Sequence, residues 1–200
     1  MIDALFGSKT RVKLLHLFLN HPGQSFYVRE ITRVIDEQIN SVRRELSNMI
    51  EVGVIVSNTA DNKLYYEVNQ RYEYYVPLRA IFADEPIAAP TQAATKDQIN
   101  EQYLDAIRKL TGVRVAIIGG VLMKDSKSSV DVLLVGSPTP AKVKEVIALI
   151  EKGEAREINY TVLTYEDFYY RLSVRDRFVT EITNTKHTVV VDTDNVLRQE

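Results

Sequence analysis

The feature that most constrains this chain is a change of period at Gly53. Up to that glycine apolar residues return every three or four positions, and beyond it they alternate. Ser8 can cap a helix running to about residue 20, on which Val12, Leu14, Leu15, Phe18 and Leu19 form a broad apolar face. His21-Pro22-Gly23 stops it. A second, shorter helix over 28–35 places Val28, Ile31, Val34 and Ile35 at spacings of three and four, and Asp36 opens a turn. A third, over about 37–52, aligns Ile39, Val42, Leu46, Met49 and Ile50 on one stripe, with Gly53 as its stop. The β-rich runs VIVSN and KLYYEVN then flank the four turn-forming residues TADN, which predicts a hairpin. The run YEYYVPLRAIF over 72–82 reads as a further helix that Pro77 kinks or breaks, and helices in this position often pair subunits.

Residues 83–96, ADEPIAAPTQAATK, have two prolines and no sustained apolar period, so they read as a linker between domains at 1–82 and 97–200. The second half alternates: a helix over 97–110, strands over 113–118 and 130–135, a helix over 141–152, and a strand over 158–163. One or two helices over 165–183 and a β-branched strand over 187–192 complete an α/β pattern. The whole is therefore expected to be α+β: three helices with a hairpin wing, then a small α/β domain.

Composition excludes several classes. There is no cysteine, hence no disulfide framework and no thiolate metal site, and the three histidines, His16, His21 and His187, are scattered. No run approaches the ~20 apolar residues that cross a bilayer, and no export signal is evident, so a cytoplasmic protein with no membrane partner is expected. Without export, Asn159-Tyr160-Thr161 is a chance match to a glycosylation sequon. The net charge of -2 argues against bulk electrostatic coating of nucleic acid. Residues 1–82 nevertheless carry 10 Lys and Arg against 9 Asp and Glu, so the slight basic bias lies in the front half.

Three helices followed by a hairpin make a winged helix, whose reading helix must bury one face and offer polar side chains to the major groove. With Val42 and Leu46 turned inward, Glu37, Asn40, Ser41, Arg44 and Asn48 face outward, and Gln38 and Arg43 flank them. Asn and Gln suit adenine edges, Arg suits guanine. Asn62 and Lys63 stand at the wing tip, Tyr65 is expected to point out beside Lys63, and Arg29 can reach a phosphate. Glu37 and Glu45 are expected near the groove, where they would repel phosphate. The stretch from LFGSKTR to KLYYEVN, with FYVREI, NSVRREL and EVGVI as landmarks, closely resembles the winged helix-turn-helix of prokaryotic transcriptional regulators over roughly residues 5–69. The resemblance implies reading positions at Asn40, Ser41, Arg43 and Arg44, a wing at Asn62 and Lys63, and double-stranded DNA as partner.

Residues 112–164, from GVRVAIIGGVLMKDSKSSVDVLLVG to INYTVLTYEDF, resemble a minimal nucleotidyltransferase of the DNA polymerase beta superfamily. That family carries Gly-Ser at the end of one strand and Asp-hydrophobic-Asp on the next, because two carboxylates on one strand face clamp two magnesium ions. Here Gly119-Gly120 replaces Gly-Ser, Ser129 replaces the first Asp, and Asn159 falls near a third position. Only Asp131 survives. One carboxylate cannot readily neutralise the charge of phosphoryl transfer, so Asp131 is read as a relic, a structural hydrogen-bond acceptor or part of an altered pocket, with no catalytic residue, metal or cofactor expected. The expectation is a regulator, not an enzyme, acting as a homodimer, with a degenerate domain that senses a nucleotide or a protein effector. The alternative is an antitoxin-like nucleotidyltransferase that uses its winged helix for docking.

Overall fold

A computed structural model describes residues 5–84 and 99–197. The architecture is mixed α+β with two separate sheets, and the chain divides into two compact units, residues 1–89 and 90–200. The division falls inside 83–96, the stretch read as a linker, of which residues 85–96 lie outside the described residues. No helix among the described residues is long and apolar enough to cross a membrane.

In the first unit α1 (Lys9–Asn20) starts at Ser8, whose side chain accepts from the Arg11 amide at 3.3 Å. Six of its apolar side chains, from Val12 to Leu19, are buried, which makes it the central helix. The two-residue strand β1 (Phe26–Tyr27) leads into α2 (Val28–Ile35), which buries Ile31 and Ile35 but leaves Val34 58% exposed, off the predicted apolar face. Asp36 then takes the left-handed conformation at φ 51°. Helix α3 (Ile39–Val52) begins two residues later than the sequence predicts, because Gln38 is extended (φ -66°, ψ 138°) and acts as the cap residue. Gly53 ends α3 at φ 87°, where its amide and that of Val54 close back onto the last turn.

The hairpin has a tighter turn than expected. Strands β2 (Ile55–Ala60) and β3 (Lys63–Val68) are antiparallel, with Ala60 opposite Lys63 and only Asp61 and Asn62 between them. Both turn residues are left-handed (φ 48° and 56°), the conformation whose twist matches that of paired strands and which Asp and Asn tolerate. Thr59 and Ala60 are thus strand, and Leu64, expected inward, is 43% exposed near the tip while Tyr66 and Val68 are buried. The sheet order is β1-β3-β2. Helix α4 (Tyr75–Phe82) is not broken by Pro77, which lies in its first turn where no amide is required. It packs Tyr75, Val76 and Phe82 into its own unit, and Asn20 holds its end by donating to Phe82 O at 3.0 Å and accepting from Asp84 N at 2.8 Å. The buried side chains of α4 face α1, with Ile81 among the residues left outside.

The second unit is a sheet covered on both faces. Its strands β4 (Val113–Ile118), β5 (Val132–Gly136), β6 (Tyr160–Leu163) and β7 (Thr188–Asp192) lie in the order β6-β5-β4-β7. The β5–β6 pair is parallel and the others antiparallel. Ala116, Ile118, Val132 and Leu134 pack beneath α5 (Glu101–Arg108) and α6 (Pro140–Glu154). Val115, Ile117, Leu133 and Val135 face Phe168 of α7 (Tyr165–Ser173) and Val179 and Ile182 of α8 (Arg177–Asn184). Burial on both faces explains why residues 115–118 of β4 and 132–135 of β5 read as continuous apolar runs. Asp97 and Gln98, expected to begin α5, lie outside the described residues.

Close packing of α5 on α6 carries a testable sign. Burial and the neighbouring Glu154 carboxylate push the Tyr103 phenol up to about 12, and its hydroxyl donates to Glu154 at 3.2 Å directly over Gly153. A methyl at Gly153 would collide with that hydroxyl and sit 3.0 Å from the ring. Gly→Ala inside a helix ordinarily stabilises by up to about 1 kcal/mol. Gly153→Ala is expected to destabilise by about 1 to 2 kcal/mol in urea denaturation, because Tyr103 is buried and cannot swing away.

Candidate nucleic-acid interface

Helix α3 is amphipathic in an unusual way: Val42, Leu46 and Met49 are buried, and so is Glu45. Turning 100° per residue, Asn40, Arg44 and Ser47 then occupy the middle of the outward arc, with Arg43 at one margin and Ser41 and Asn48 at the other. Asn40, Arg43, Arg44 and Ser47 are exposed, whereas Ser41 and Asn48 are half-buried. The Arg44 side chain is 73% exposed. Asn48 turns its amide towards Glu45 at 3.5 Å, so it is the predicted reader least free to reach outward. Gln38 is exposed at the helix start, and Arg29 is exposed in the first turn of α2. Ser47 was not anticipated, although its position three residues after Arg44 was available to periodicity. Glu51 also lies on this arc, near its C-terminal end.

The structure corrects the expected repulsion from Glu37 and Glu45, because both carboxylates turn back onto α1. Lys13 Nζ lies 2.8 Å from Glu37, and it donates also to Ile35 O at 2.8 Å, tying the turn between α2 and α3 to the first helix. The Lys13 hydrogen bond is the main reason the Glu37 carboxyl is held below its ordinary value. Glu45 is buried against Arg11, whose Nε and Nη2 both approach within 3.0 Å. Burial pushes the Glu45 carboxyl up, but hydrogen bonds from Ser8 and Arg11, the Arg11 charge and the Asn48 amide outweigh it and leave the carboxyl lowered.

At the hairpin, Asn62 is exposed in the turn and Lys63 begins β3. Tyr65 and Tyr27 are paired in register and meet edge to face at 6.0 Å, and Lys63 Nζ lies 5.4 Å from the Tyr27 ring centroid. The ammonium is thereby held near an aromatic face rather than left to wander. Tyr27 was missed because two residues make too short a strand to read, and only the register with Tyr65 reveals it.

In the second unit Gly119, Ser129 and Asn159 gather around Asp131. It is fully buried, and its carboxylate accepts from Val121 N at 2.8 Å and from Asn159 N at 2.8 Å. Its backbone is tied as well, donating to Asn159 O and accepting from Gly119 N. Ser129 donates to Glu181 at 3.0 Å, and the Asn159 side chain donates to Ser129 O. These residues do not fit a pair of magnesium ions: the one buried carboxylate is already engaged by backbone amides, Ser129 and Asn159 are uncharged, and the Glu181 carboxylate is held by the Ser129 hydroxyl. Among the described residues no group of three or more His, Asp or Glu could hold a metal ion. No protein-family model, curated protein or solved structure matches this chain.

Proposed function

We propose that the first unit is a winged helix-turn-helix that binds double-stranded DNA sequence-specifically, with α3 entering the major groove and the β2–β3 hairpin lying on the phosphate backbone. The observation that carries this reading is the exposed polar arc of α3. Asn40, Arg43 and Arg44 are displayed from a helix whose other face is anchored by Val42, Leu46, Met49 and the Glu45–Arg11 pair. Such an anchor makes the arc a fixed surface, and donors held in place are what base-edge recognition needs. Lys63 and Asn62 supply the backbone contacts.

The second unit reads best as a degenerate nucleotidyltransferase-like domain in which Asp131 is structural, and the chain as a transcriptional regulator rather than an enzyme. One winged helix offers few base contacts, so the proposal includes a homodimer on a two-fold site. Selection of bound fragments from random duplex DNA tests this directly: an enriched inverted repeat is expected, and no enrichment over input would overturn the reading. On the selected site, Arg44→Ala should weaken binding by about 1 to 3 kcal/mol and relax preference at one position. Lys63→Ala should weaken every sequence alike and lower the salt slope by about one. Binding isotherms across a salt series measure both.

A further inference from the structure

The second unit contains a cavity of about 810 Å³ between α7, α8 and the segment after β7, away from the Asp131 cluster. One wall is a ladder. Asp194 pairs with Arg114 at 2.7 Å, the Arg114 guanidinium lies 3.5 Å over the centroid of Tyr165, and Tyr165 stacks with Tyr169 at 6.4 Å and 23°. The last rung is open, for Tyr169 is 57% exposed at the cavity. The lining also includes Thr180 and Asn184 of α8, and Arg175 in the connection between α7 and α8 with its backbone left-handed at φ 53°. Asp194, the acidic group lining the space, is already neutralised by Arg114, whereas Arg175 has no carboxylate partner among the described residues.

We propose that this cavity binds a nucleoside monophosphate. Its volume lies within the roughly 300 to 1,000 Å³ of small-ligand sites. A planar base on Tyr169 would continue the ladder, since ring faces stack favourably whatever the base. The Asn184 amide and the Thr180 hydroxyl offer donor and acceptor atoms to the edge of a heterocycle. Arg175 supplies the charge for one phosphate. The site is independent of whether the first unit binds DNA.

Calorimetric titration of the full chain with AMP, GMP, CMP and UMP, with the matching nucleosides and with inorganic phosphate, tests the assignment. At least one monophosphate is expected to bind below millimolar, more tightly than its nucleoside. Tyr169→Ala should weaken it about tenfold or more, as loss of a stacking partner does, and Tyr169→Phe should retain it. Arg175→Asn, chosen because asparagine tolerates the left-handed backbone, should reduce the monophosphate to the affinity of the nucleoside. Lys127→Ala, in the loop before Asp131, should change nothing. The proposal is overturned if no monophosphate binds, if Tyr169→Ala binds like the wild type, or if Lys127→Ala rather than Tyr169→Ala removes binding.

Discussion

Asp131→Asn is expected to destabilise the second unit by about 1.5 to 3 kcal/mol for the hydrogen bond it loses and by more for the clash it creates, approaching the roughly 3 to 6 of Asp131→Ala, which loses two hydrogen bonds to a buried carboxylate. An amide is normally the mildest replacement for a carboxylate. At this position both carboxylate oxygens face backbone donors, Val121 N on one side and Asn159 N on the other, each at 2.8 Å. Asparagine keeps one acceptor and points its NH2 at the other donor, so one contact becomes a repulsion between two N–H groups. Alanine leaves both amides without their acceptor. The consequence reaches the 3₁₀ turn Gly120–Leu122 and the start of β6, which Asp131 joins across 10 and 28 residues of chain. Urea denaturation followed by circular dichroism measures the loss, and hydrogen exchange should show the Val121 and Asn159 amides losing protection first. A stable Asp131→Asn variant would contradict the structural role and return the carboxylate to the list of chemical groups.

Most of what positions the interface is legible in the sequence, since Ser8, Gly53 and the three-and-four spacing set the limits of α1 and α3 through capping and periodic burial, both local effects. Failures cluster where a partner distant in sequence decides. Phe26–Tyr27 becomes a strand because β3 offers it a register, not because two residues prefer extension. Asp61 and Asn62 are both able to turn left-handed, and that lets the hairpin close in two residues where four turn-forming residues suggested a looser loop. Glu45 is the instructive case: it lies three residues after Val42 and four before Met49, so the helical period places it inward, yet its charge suggested the surface. What resolves the conflict is Arg11, 34 residues away, and no local pattern announces that pairing. The cavity beside Tyr169 was equally hidden, for its walls come from α7, α8 and the segment after β7.

Glu45→Ala is expected to cost about 2 to 4 kcal/mol, less than the sum of its hydrogen bonds, because the Arg11 left behind can rehydrate. The Arg11 side chain is 37% exposed, and it keeps its bond to Phe6 O at 3.1 Å. Replacing both partners, Arg11→Met with Glu45→Leu, should recover most of that loss, since two apolar groups need no desolvated charge between them. A double-mutant cycle by denaturation gives the coupling. The same pair predicts the response to acid. The folded carboxyl lies below its ordinary value, so the unfolded chain takes up the proton first as pH falls. The contribution is therefore fully present at neutral pH, begins to fade near the ordinary value of 4.5, and is gone below the depressed folded one. A pH series on wild type and on the double variant should differ in slope only within that window. If Glu45 also fixes α3 for DNA, the variants will separate stability from binding: the double variant, stable again but with an apolar anchor, should bind the selected site like the wild type, whereas Glu45→Ala should bind it more weakly even at temperatures where it is fully folded.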